Sequence, residues 1–121
     1  MNDKVFVDSK GILNWIPETP YGQTEGTKGA IDMIKQLLDE HGPMRILIDL
    51  SKSERPDKHQ RQIIINALRN NFHNVSKIAL FGVAPVMKAV AFFIINSAGY
   101  SNLKFFSSRS QAESWLMDSH P

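Results

Sequence analysis

The side chains most able to do chemistry are few and scattered. The chain has four histidines, His41, His59, His73 and His120. None stands in an HxH or HExxH pattern, or at helical spacing from a carboxylate, so the spacing defines no metal site. There is no cysteine, which removes disulfides, thiolate nucleophiles and sulfur-ligated metals. Asp49 closes an apolar run, where α/β domains place functional groups. No base, nucleophile or second carboxylate accompanies it at a fixed spacing, and hydrogen bonding to loop N–H groups accounts for it. Gly82-Val83-Ala84-Pro85 is a strand-to-helix junction that can present N–H groups to an anion. A single glycine falls well short of a GxGxxG or Walker A pattern. Ser51 and Ser53 read as turn and capping hydroxyls. No basic run surrounds Trp15 or Trp115, so both read as core or lining residues. No catalytic residue, metal or cofactor is expected, and the chain reads as a non-enzyme.

The strongest signal is physical rather than catalytic. Pro85–Ala98 (PVMKAVAFFIINSA) has the spacing of a helix whose only charge is Lys88. Val86, Met87, Val90, Ala91, Phe92, Phe93, Ile94 and Ile95 spread around its whole circumference. A helix covering one side of a small domain needs one apolar stripe only. The far side therefore calls for a second partner: another subunit as in a homodimer, a nonpolar ligand, or a membrane surface. Ile63-Ile64-Ile65, in the preceding helix, span about 200° at about 100° per residue, so part of that triplet also lies off a single stripe.

The remaining elements position these two helices. At 121 residues the chain reads as one domain, residues 1–121. An apolar fraction of 42% and a charged fraction of 21% fit an ordinary globular protein rather than a disordered one. The formal charge of +2 is too small to argue for nucleic acid. From Lys58 onward the only acids are Glu113 and Asp118, against seven bases, Lys58, Arg61, Arg69, Lys77, Lys88, Lys104 and Arg109. If those bases share a face, it favours an acidic partner or anionic lipid; otherwise they are solubilising charges. The N-terminus lacks a signal-peptide layout, and Ala89–Ile95 is far short of the roughly 20 residues needed to span a bilayer. The expected location is cytoplasmic, with peripheral attachment at a membrane as the further option.

Lys4–Val7 and Ile12–Ile16 read as a β-hairpin around the Asp8-Ser9-Lys10-Gly11 turn. Pro17–Gly26 is the longest irregular stretch, a plain connection or a flap. A helix follows over Lys28–His41, with Thr27 as N-cap and Gly42-Pro43 as stop. His41 suits the dipole at its end. Met44–Leu50 is apolar on both faces, as a covered central strand is. The second helix spans Lys58–Phe72, with Ile64, Leu68 and Phe72 or Asn71 on its core stripe. Lys77–Phe81 is a strand, Pro85 opens the third helix and Gly99 ends it. Leu103–Phe106 is the last strand, and Ser108-Arg109-Ser110-Gln111 is a capping box for a final helix through Leu116. Asp118–Pro121 is expected to fray. The order ββαβαβαβα predicts an α/β fold with a mainly parallel sheet and right-handed crossovers.

Ile46-Leu47-Ile48-Asp49-Leu50-Ser51, Lys77-Ile78-Ala79-Leu80-Phe81-Gly82, and Phe106 followed by Ala112 and Trp115-Leu116 stand where the SpoIIAA-like domains carry theirs. Over nearly the whole chain the sequence resembles that family, which is related to the STAS domains and more distantly to Sec14/CRAL-TRIO lipid-binding domains. The resemblance implies a βα superhelix with helices largely on one side of the sheet, and a non-enzymatic role. In the anti-sigma-factor antagonists an Asp-Leu-Ser strand end precedes Asp-Ser-Ser-Gly, whose serine is a phosphorylated switch. Here Asp49-Leu50-Ser51 matches, but the helix opens with Asp57-Lys58-His59-Gln60, so the phosphoacceptor is missing. The resemblance also implies association with membranes or nonpolar molecules through the second and third helices.

Two expectations follow. In the leading one, Ile63, Ile65, Met87, Ala91, Phe92 and Ile95 lie off the core and bind a nonpolar ligand or membrane surface. At about 25 cal/mol per Å² a handful of them would supply several kcal/mol. Their alternative is packing on neighbouring helices of the same domain. In the second, the chain is a regulatory protein–protein module whose contact loop comprises Asp49, Ser51, Ser53, Arg55, Asp57 and Lys58.

Overall fold

The computed structural model describes residues 3–70 and 75–118. Its elements are β1 (Lys4–Val7), β2 (Leu13–Ile16), α1 (Thr24–His41), β3 (Met44–Asp49), α2 (Lys58–Asn70), β4 (Val75–Phe81), α3 (Pro85–Ala98), β5 (Leu103–Phe106) and α4 (Arg109–Met117). Asn71, Phe72, His73 and His120, and the chain end past Asp118, lie outside the described residues.

The five strands form one sheet in the order β1-β2-β3-β4-β5. Only β1–β2 is antiparallel, through a hairpin in which Asp8 Oδ1 accepts the N–H groups of Lys10 and Ile12. The pairs β2–β3, β3–β4 and β4–β5 are parallel. The alternation of side chains along each strand divides the interior into two cores. Leu13, Trp15, Ile46, Ile48, Ile78 and Leu80 face α1 and α2. Leu47 and Ala79 face Ala112 and Leu116 of α4. β3 and β4 are thus apolar on both sides because both sides are covered. Ala79 and Ala112 are both fully buried, and with so little side chain between them α4 packs closely on the sheet.

The boundaries differ from the sequence reading at several places. α1 begins a turn earlier, so Thr27 is not its N-cap but a buried residue inside the helix. Gly26 weakens the helical signal there. A side chain at Gly26 would meet the Thr19 hydroxyl and methyl at 2.8 Å, so glycine lets the preceding loop lie against the helix. β4 begins at Val75, two residues early, with an irregular register beside Met44 and Arg45. β2 starts at Leu13 rather than Ile12, and Ile12 points into the α4 core. Half of the capping box of α4 forms: Ser108 Oγ accepts the Gln111 N–H at 3.2 Å, while Gln111 Oε1 accepts the N–H and hydroxyl of Ser107 rather than the Ser108 N–H. At the other end of α4, Lys77 Nζ donates to the Trp115 and Asp118 carbonyls at 3.0 and 2.9 Å.

Candidate functional site

A cavity of about 130 Å³ lies between the sheet and the α2–α3 pair. Its floor is apolar strand residues, Ile48, Ile78, Leu80 and Leu103. Ile64 and Leu68 of α2 form one wall. The other is the inner face of α3: Met87, Val90, Ala91, Ile94 and Ile95. These recur at the 3.6-residue period, so they share one helix face. Ala91, the smallest side chain of this row, stands in its middle. The lining reaches the carboxyl ends of β2, β3 and β4 at Trp15, Leu50 and Val83. Open α/β sheets present their ligand crevices at this edge.

Two buried polar residues build the rim. Asp3 is 5% exposed. Its carboxylate accepts the Trp15 indole N–H at 2.9 Å, the Glu18 and Thr19 N–H groups at 2.9 and 2.8 Å, and the Thr19 hydroxyl. Gln60 is 2% exposed. Its Oε1 accepts the Asp57 N–H at 2.8 Å while Asp57 Oδ1 accepts the Gln60 N–H at 2.8 Å, a reciprocal cap at the start of α2. The same Oε1 accepts the Gly22 N–H at 3.1 Å. Its Nε2 donates to the Pro20 carbonyl at 3.1 Å and the Thr27 hydroxyl at 3.2 Å. The Pro17–Gly26 stretch is therefore fastened over the cavity edge by Asp3 from one side and Gln60 from the other.

The six side chains expected off the core divide. Met87, Ala91 and Ile95 are half-buried and line the cavity. Phe92 is 45% exposed, its ring 4.9 Å from that of Phe105 on β5. Ile65 is corrected: it is 6% exposed, inside the domain. Ile63 is half-buried and packs against the main core. The reason is position, since α2 is flanked by both α1 and α3 and buries a wider sector than one stripe. Of the triplet, Ile64 reaches the cavity. The outer side of α3 carries Val86, 76% exposed, and Phe93, 57% exposed. On another side of α3, Lys88 Nζ sits 5.5 Å from the Phe105 ring centre.

The loop of the second expectation is largely turned to its own backbone. Asp49 Oδ1 accepts the Ser51 N–H at 2.9 Å, and Ser53 Oγ donates to the Leu50 carbonyl at 2.8 Å. Asp57 caps α2, whereas Ser51, Arg55 and Lys58 are exposed. Asp49 Oδ2 also stands 3.8 Å from Arg109, whose Nη1 donates to the buried Asn14 at 3.3 Å. Gly82 belongs to this turn rather than to an anion cradle: its φ is +77°, and a Cβ there would lie 3.1 Å from the Ser51 backbone N. The bases of the second half do not share one surface role. Lys77 and Lys104 lie over Trp115, Lys88 over Phe105, and Arg109 over Phe81.

Sequence reasoning missed Asp3 and Gln60. Asp57-x-x-Gln60 is a capping pattern that could have revealed the second. Asp3 leaves no local signal, because its partners are 12 to 16 residues away. Among the described residues, no three His, Asp or Glu side chains cluster as metal ligands. No described helix is long and apolar enough to cross a membrane. A scan against protein-family models matches no family, and a search of curated proteins finds no similar one.

Proposed function

We propose that the chain is a non-catalytic binding domain of the SpoIIAA-like kind that takes a nonpolar molecule into the cavity beneath α3. The observation that carries this reading is the cavity itself, walled by aliphatic side chains and reaching the carboxyl edge of the sheet. An apolar cavity of roughly 150 Å³ stays dry and accepts a benzene-sized ligand. The polar side chains buried at the rim, Asp3 and Gln60, are already bonded within the protein, which suits a fixed frame better than a reacting group. Native mass spectrometry of protein purified without detergent tests the reading. A nonpolar adduct is expected on the native chain and not on Ala91→Trp, whose indole fills the cavity. Bare protein in both cases, together with no uptake of added benzene derivatives, contradicts it.

The exposed outer side of α3 favours a second, compatible reading. Val86 and Phe93 project outward as an exposed apolar stripe that does not line the cavity. That stripe suits a membrane surface, to which the domain would attach peripherally from the cytoplasm.

A further inference from the structure

The cavity is apolar, but its charged lining is one-sided. Asp3 and Glu54 line it, and no Lys, Arg or His among the described residues does. This runs against the chain's net charge of +2. Lys52, Arg55 and Lys58 share a loop with Glu54 or follow it, yet none of them lines the cavity. Asp3 is buried and held by donors from Trp15, Glu18 and Thr19. Glu54 is exposed at the mouth and has no hydrogen-bond or ion-pair partner among the described residues.

We propose that the cavity sorts its ligands by head-group charge, taking an amphiphile with a cationic or neutral hydrogen-bond-donating head and refusing one with an anionic head. This rests on the cavity being the ligand site. Parallel strands and the antiparallel run of α3 set the orientation. Ile94, Ile95 and Leu103 line the end of the cavity away from the strand carboxyl ends, where Glu54 stands. A tail lodged beneath α3 therefore brings its head to the Glu54 carboxylate. Apolar walls screen charge poorly, so the two acids act on that head more strongly than they would in water. A carboxylate head leaves part of its hydration shell and meets like charge, with no cationic side chain in the lining to offset it. An ammonium or hydroxyl head finds an acceptor.

Three probes with one tail test this: 2-phenylethylamine, 2-phenylethanol and 3-phenylpropanoate, titrated calorimetrically near neutral pH at low salt. The amine is expected to bind at least about tenfold tighter than the carboxylate. Glu54→Gln, an exposed substitution that leaves the core intact, should cut the amine affinity several-fold and leave the alcohol unchanged. Binding of the carboxylate as tight as the amine, or an amine-to-alcohol ratio indifferent to Glu54→Gln, overturns the inference while the uncharged alcohol still reports a ligand site. If the alcohol also fails to bind, the ligand-site reading falls, and this inference with it.

Discussion

The Gln60 side-chain amide donates to the Thr27 hydroxyl at 3.2 Å, joining the first turn of α2 to the interior of α1. Through its other bonds the same side chain fixes the Pro20–Gln23 backbone and caps its own helix. One buried amide thus holds three segments around the cavity mouth. A buried amide is costly when left unpaired and is stabilising here only because its donors and acceptor are satisfied. Gln60→Ala should therefore lower unfolding free energy by about 2–3 kcal/mol, measured by urea denaturation. A loss below about 0.5 kcal/mol, the range of an ordinary surface change, would contradict the role.

Asp3 makes the matching clasp on the other side of the loop. Asp3→Asn replaces one acceptor oxygen with a donor that faces other donors. The expected cost is about 1–3 kcal/mol. The Trp15 indole N–H, which donates to Asp3 at 2.9 Å, should exchange with solvent faster in the variant. Unchanged indole exchange would mean that the carboxylate does not secure Trp15.

Tyr100 gives a pH test of the packing beneath the end of α3. Burial pushes its hydroxyl from 10.0 up to about 12. The hydroxyl donates to the Val75 carbonyl at 3.1 Å. Because the folded value lies above the unfolded one, the stabilisation is complete below pH 10.0 and disappears as pH rises toward about 12. A Tyr21→Phe chain leaves Tyr100 as the one titrating phenol, followed by absorbance. Ionisation near 10 in the folded chain would contradict the burial.

The outer stripe of α3 predicts a flotation result. Wild-type protein should rise with phospholipid vesicles, and Val86→Ser combined with Phe93→Ser should reduce the bound fraction about fivefold or more. Neither side chain lines the cavity, so uptake of small nonpolar probes should persist in the double variant. Equal flotation of both proteins would remove the membrane reading and leave the cavity untouched.

Elements set by local chemistry were legible in the sequence. Pro85 and Gly99 bound α3, Ser108 with Gln111 starts α4, and the two-faced apolar pattern of Met44–Asp49 marks a covered strand. What local pattern does not encode is which neighbours an element acquires. Ile65 reads as surplus because the sequence does not show α2 lying between α1 and α3. Thr27 reads as a cap because its true partner, Gln60, is 33 residues away. The surplus on α3 was legible, but not its division into an inner row over a cavity and an outer stripe at Val86 and Phe93. That division depends on which face of α3 is turned toward the sheet and α2.

The most direct measurement is a methyl-labelled NMR titration with toluene, observing Met87, Ala91, Ile94 and Ile95. Saturable shifts concentrated on these four inner methyl groups, abolished by filling the space with Ala91→Trp, are the predicted result. Shifts that never saturate, or that gather on Val86 at the outer surface while the inner methyl groups stay silent, would contradict a ligand site beneath α3.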